Sequence, residues 1–310
     1  MSIVVVGSVA YDSVETPFGK VEDALGGSAT YFSISASFFT PVRLVACVGK
    51  DFRGEDRFLL ESRNVDLEGL EYMDGETFRW KGDYNKDLNE ANTLETHLNV
   101  FANFQPKLPG KYRESDFVFL GNIDPTLQRQ VLSQVKAPRL VACDTMNFWI
   151  EGQFNSLMET LKQVDILIIN DAETRQLARE SNLLKAARKV LGWGPSTLVV
   201  KRGEYGVFKF RLGKKGELLS FGLPAFPVEG VMDPTGAGDT FAGGFMGYLA
   251  GSGKTDETTL RQAIVFGSVM ASFNVEKFSL GRLKELTYPE ITRRFEEFKQ
   301  LTDFEVNLEQ

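Results

Sequence analysis

The chain has 310 residues, 43% of them hydrophobic, and a formal net charge of -7, enough apolar mass for one large α/β core but no basic excess to displace counterions from nucleic acid. Its two cysteines, Cys47 and Cys143, each sit inside an apolar run, which predicts buried free thiols in a reducing compartment. No run approaches the roughly 20 apolar residues that cross a bilayer, and the opening MSIVVVGSVAYD has no basic leader and too short an apolar run for a signal core. No nucleic-acid partner, no membrane association and a cytoplasmic location are therefore expected.

Short β-branched runs recur at 3–6, 43–48, 117–120, 140–143, 166–169 and 197–200, each followed by turn residues and a longer helical pattern. Apolar runs of this length predict strands buried on both faces. Their alternation with helices predicts βαβ units, hence a mainly parallel sheet in a three-layer α/β/α sandwich with ligands at the carboxyl ends of the strands. Between 72 and 100 the pattern turns polar and alternating, with a turn-prone GDYNKD at 82–87. That predicts an antiparallel hairpin outside the main sheet, suited to a lid, a subunit contact or a plain surface excursion. After Gly230, helices are expected over 240–249, 257–274 and 288–300.

The densest signal is VMDPTGAGDTFAGG, a turn holding Gly236 and Gly238 that runs straight into an apolar helix. Glycines let successive N–H groups converge on one anion, and the helix N-terminus adds about half a positive charge. Asp239 enters the helix there and could be a plain N-cap. The neighbouring glycines and Asp233-Pro234-Thr235 exceed what a cap requires, and the carboxylate can face the same concavity as the amides of Gly236, Ala237 and Gly238.

DPTGAGDTFAGG resembles the C-terminal signature of the ribokinase-like (PfkB) carbohydrate and nucleoside kinases, with Pro234 where threonine is common. The resemblance covers nearly the whole chain. It implies a single ribokinase-like domain over 1–310, with lid segments near 12–24 and 72–105, that transfers a phosphoryl group from ATP with Mg2+ to a hydroxyl of a small sugar, sugar derivative or nucleoside. Asp239 would abstract the proton and the loop amides would stabilise the transferring phosphate.

Further positions follow from the same resemblance. Asp12, in GSVAYDS, would accept substrate hydroxyls, although taken alone it reads rather as a turn residue. ALGGSATYF resembles the family's G-G-x-x-x-N; Gly26 and Gly27 would admit substrate and form a hinge, Ser28 is a polar candidate, and Tyr31 replaces the usual asparagine. Asp51 and Gly54 of CVGKDFRGED would form a structural turn. In IINDAETRQL, Asn170 and Glu173 share a helix face and would order magnesium near the phosphates, Glu173 through water; a capping arrangement has the same spacing. Lys201, Gly203 and Gly206 of VVKRGEYGVF would contact nucleotide, with plain exposure the alternative for the lysine. The helix and exit loop FGSVMASFNVEKFS, with Ser268, would wall the adenine side. Relatives hold a monovalent cation such as K+ between this loop and the backbone near Asp233 and Thr235, where Ser279 replaces a glycine.

Other patterns mislead. Gly251-Ser252-Gly253-Lys254-Thr255 mimics the end of a P-loop, but Tyr248 stands where its first glycine belongs, so a helix C-cap is expected. A dinucleotide fingerprint is missing after Gly7, and His97, the single histidine, has no metal-ligand partner pattern. Tyr31, Phe32, Trp80 and Tyr84 suit either ring stacking or the core. A homodimer through the lid edge is admissible. The rival reading is a nucleotide- or sugar-binding regulator of the same fold that has lost turnover, although such a module has no use for a base at the phosphate site.

Overall fold

The computed structural model describes residues 1–84, 88–89 and 91–303. In chain order the strands are β1 (Ile3–Val6), β2 (Ala10–Thr16), β3 (Gly19–Gly26), β4 (Val42–Val48), β5 (Val65–Tyr72), β6 (Phe78–Tyr84), β7 (Ala91–His97), β8 (Phe117–Leu120), β9 (Leu140–Cys143), β10 (Ile166–Asn170), β11 (Thr197–Lys201), β12 (Val207–Leu212) and β13 (Leu218–Leu223). Nine of them form one sheet in the order β13-β12-β11-β10-β9-β8-β1-β4-β5. It is parallel from β11 to β5, with β12 and β13 added antiparallel at one edge.

The apolar runs become strands because each has two faces to bury. Ile3 and Val5 point into one core and Val4 and Val6 into the other; Phe119 and Leu120 divide the same way. Helices Ser28–Ala36, Ala237–Ser252 and Glu257–Asn274 cover the first face, and helices Pro125–Leu132, Phe154–Leu161 and Leu183–Leu191 the second. The mainly parallel three-layer α/β/α sandwich follows. Both cysteines are buried and free, and among the described residues no helix is long and apolar enough to cross a membrane.

A second, four-stranded sheet has the order β3-β2-β6-β7. The hairpin expected between 72 and 100 is β6 with β7. Its first residues differ from expectation, because 65–72 belong to the main sheet as β5. Of the turn expected at 82–87, residues 85–87 lie outside the described residues. The parallel pairing of β6 with β2 was not foreseen. Every residue of β7 is exposed, and His97 on it contacts Glu95 at 3.1 Å. Arg79 of β6 ties this sheet to the main body by bonding Asp51 at 2.8 Å, and it also bonds Asp23 of β3 within the sheet. Asp51 also accepts the N–H and hydroxyl of Thr77, both at 2.7 Å, which accounts for the expected structural turn.

Helices Ser28–Ala36 and Ala237–Ser252 cross closely because Gly247 has no side chain: a Cβ there would stand 2.8 Å from Ala36 Cα. Ser35 Oγ donates to Thr240 O at 2.7 Å across the crossing. The crossing brings the Gly26–Gly27 pair beside the Gly236 loop, although more than 200 residues separate them. The P-loop mimic is a helix end, with Gly253 at φ 66 donating to Leu249 O at 3.0 Å.

Candidate active site

Gly236 is the N-cap of helix Ala237–Ser252, with φ 73 and no side chain capping the helix. A Cβ there would collide with the Tyr31 ring, so the backbone angle and the neighbouring ring both demand glycine. Buried bonds hold the preceding turn. Asp233 accepts the N–H groups of Thr235 and Ser279, each at 2.9 Å, and Asn274 Nδ2 donates to Thr235 O at 2.8 Å. Pro234 O accepts the Ala237 N–H at 3.1 Å. The first-turn N–H groups of the helix therefore have no side-chain cap and stay available to an anion.

A cavity of about 930 Å³ opens beside this loop, lined by Ala237 and Gly238 and by Asn170, Lys201, Gly203, Gly206 and Ser268. Strand order explains the convergence: Asn170 ends β10 and Lys201 ends the adjacent β11, so both reach the carboxyl edge of the sheet. Asn170 and Glu173 form a reciprocal capping box, with Glu173 N–H donating to Asn170 Oδ1 at 2.7 Å and Asn170 N–H to Glu173 Oε2 at 2.8 Å. Burial, then the charge of Asp144, push Glu173 up to about 7 against the pull of Lys201. Among the described residues no three His, Cys, Asp or Glu side chains gather as a metal site.

Asp239 stands on the first turn of the helix, partly open to the site. Burial, then the charge of Asp144, raise it to about 7 while Lys201 pulls it down. Lys201 bonds Asp144 at 3.3 Å. Burial works against the charge of Lys201, but Asp144, Glu173 and Asp239 together outweigh it and keep the ammonium protonated. Asp144 was missed in the sequence. The available signal was a carboxylate directly after the buried strand β9.

On the other side of Asp239, Asp12 lies within β2 rather than in a turn, is 5% exposed and accepts the Gly27 N–H at 3.3 Å. Burial pushes it up to about 7; the Gly27 N–H opposes this, and Asp233 and Asp239 add to it. A Cβ at Gly26 would collide with its carboxylate, and Gly27 holds φ 92. Ser28 turns away from this side, exchanging bonds with Ser8 at 3.0 and 3.2 Å. Tyr31 is 1% exposed, and among the described residues no partner lies within hydrogen-bond distance and geometry of its hydroxyl. Tyr84, from β6, was named only among the aromatics; its hydroxyl accepts from Thr235 at 3.3 Å, and burial pushes it up to about 12. Ser279 explains the glycine it replaces: it holds φ 52 while its hydroxyl donates to Leu25 O at 2.7 Å.

A sequence model of the pfkB family carbohydrate kinases matches residues 2–285. The chain belongs to that family. Among curated relatives, it is 30% identical over 257 residues to a cytidine kinase of Thermococcus kodakarensis, covering 81% of this chain and 90% of the relative. It is 26% identical over 237 residues to a nucleoside kinase of Methanocaldococcus jannaschii, covering 75% and 72%. A solved structure of the Methanocaldococcus jannaschii nucleoside kinase superposes with a TM-score of 0.75 at 21% identity, covering 96% of this chain and 98% of that one. The Burkholderia thailandensis nucleoside kinase in complex with inosine gives 0.76 at 18% identity, covering 95% and 98%. These structures share the fold of this PfkB kinase, and the family places its chemistry among sugar and nucleoside kinases.

Proposed function

We propose that this PfkB kinase transfers the γ-phosphoryl group of ATP to a hydroxyl of a nucleoside, with Asp239 as general base. One observation carries the reading: a carboxylate raised to about 7 on the uncapped first turn of a helix, between a cavity of about 930 Å³ and the buried Asp12. A nucleoside is preferred over a free sugar because a cytidine kinase and a nucleoside kinase match over 81% and 75% of this chain, whereas two ribokinases match over 38% and 39% of it. Asp12 offers two oxygens to a diol.

In this mechanism the cavity beside Gly203, Gly206 and Ser268 receives the nucleotide. The first-turn amides of Gly238 and Asp239, with the ammonium of Lys201, offset charge that develops on the transferring group. Bound Mg2+ would neutralise phosphate charge, and Asn170 and Glu173 would order its waters. Asp239 accepts the proton of the acceptor hydroxyl as that oxygen bonds to phosphorus and ADP leaves. Its elevated basicity brings it nearer to the proton it must take, while about half of it stays ionised at pH 7. Asp12 holds a neighbouring hydroxyl, and the small sheet, carrying Tyr84, acts as the lid over the acceptor. Water is thereby kept from the phosphoryl group.

The test is ATP turnover over a panel of nucleosides and sugars, comparing the native chain with Asp239→Asn. Phosphorylation of a nucleoside that drops by about 10²–10⁴-fold in the variant is expected. Turnover restricted to free sugars would replace the acceptor class. Ligand binding with no Asp239-dependent turnover on any acceptor would establish the regulator instead.

A further inference from the structure

We propose that Asp144 is a positioning residue for phosphoryl transfer: it anchors the Lys201 ammonium against the glycine loop, so that the cation serves the phosphate and leaves Asp239 free as base. The proposal rests on the kinase reading of this site.

Several carboxylates compete for Lys201, namely Asp144, Glu173 and Asp239. Among the described residues only Asp144 lies within ion-pair distance of it, at 3.3 Å. Asp144 is built to win that competition. It is 5% exposed, its N–H donates to Leu120 O at 2.9 Å, and its carbonyl accepts from Gln128 Nε2 at 3.0 Å. The Thr145 N–H holds its Oδ1 at 2.7 Å, leaving Oδ2 for the lysine. Lys201 in turn reaches under the loop: a Cβ on Gly238 would stand 2.8 Å from its Nζ. A side chain at Gly238 would push the ammonium aside, at the helix turn that carries Asp239.

A buried ion pair is a poor stabiliser, since desolvation offsets most of its attraction. Its place here is better explained by what each charge does to Asp239. Facing that carboxylate are Asp144, Lys201 and Glu173 on the sheet side, and Asp12 and Tyr84 on the acceptor side. With Asp144 neutral, the ammonium is left with Glu173 and Asp239 as its anions. Asp239 then loses a repelling neighbour and a competitor for the cation, both of which make it a weaker base.

The test uses the full chain with Asp144→Asn, Asp144→Glu and Lys201→Met. For Asp144→Asn, kcat is expected to fall roughly 100-fold with little change in acceptor KM, and the acid limb of the rate profile to move about one unit or more to lower pH. Carboxyl carbon NMR of the ligand-free protein, with Asp239 assigned through Asp239→Asn, should show the same downward move without any turnover. Asp144→Glu should restore the native titration point, and Lys201→Met should raise it. A folded Asp144→Asn with an unmoved Asp239 titration overturns the proposal. If that variant does not fold, an unmoved titration in Lys201→Met overturns it equally. A native chain without phosphotransfer would defeat the kinase reading, and the ligand-free titration would still decide the pairing.

Discussion

Replacing Asp239 by asparagine should make the protein more stable at alkaline pH while lowering turnover by about 10²–10⁴-fold. The carboxylate is raised from 3.8 to about 7, and each unit corresponds to about 1.36 kcal/mol, so ionised Asp239 burdens the fold by about 4 kcal/mol at most. Part of its surface faces the open site, and the penalty is better set at about 2–3 kcal/mol. The sign follows from proton counting. Between 3.8 and about 7 the native state holds a proton that the unfolded chain has released, so stability falls as pH rises through this window. Asparagine cannot ionise and escapes that loss. Urea unfolding of both proteins from pH 4.5 to 8.5 should therefore show Asp239→Asn ahead by about 2–3 kcal/mol above pH 8, with the gap closing as pH falls toward 4. The raised titrations of Asp12 and Glu173 remain in both proteins and largely cancel. A variant that is no more stable at pH 8.5, or a gap that does not depend on pH, would refute the burial argument for Asp239.

The rate profile should share that origin: kcat/KM is expected to fall below about pH 7 as Asp239 and Asp12 take up protons, and a profile flat down to pH 5 would exclude Asp239 as base. Gly26→Ala places a methyl against the Asp12 carboxylate and should raise acceptor KM about tenfold or more while nucleotide affinity holds, as fluorescence titration with nucleotide would check. Asn170→Ala removes one half of a capping box and should cost about 1 kcal/mol, read as a Tm lower by about 2–4 °C. Arg79→Ala cuts the contacts with Asp51 and Asp23. Hydrogen exchange should then quicken in β6 and β7 and stay unchanged in β8 and β9.

The elements that could be read along the chain are those whose signal is local. Residues 166–169 and 198–200 are apolar at every pleat because both faces are covered, and that needs no partner to be visible. The Gly236 loop is equally self-declaring, since converging amides require glycine at that spacing. Asn170 and Glu173 carry their spacing with them, and they bond as a capping box.

What depended on distant partners stayed hidden. Asp144 is one acid after one strand until strand order brings Lys201 to 3.3 Å from it. The β2–β6 pairing joins segments that are separately ordinary polar strands. Tyr31 reads as a replaced substrate ligand, and only the helix crossing shows its ring seated against Gly236. Ser279 bonds Leu25 across 254 positions, and Thr16 bonds Met232 across 216. Periodicity and backbone chemistry are encoded in neighbouring residues, so the sequence alone determined the layers and the glycine loop. Burial and the juxtaposition of charges belong to pairs far apart in the chain, so only the tertiary structure decided how far the Asp239 carboxyl is raised and which carboxylate holds Lys201.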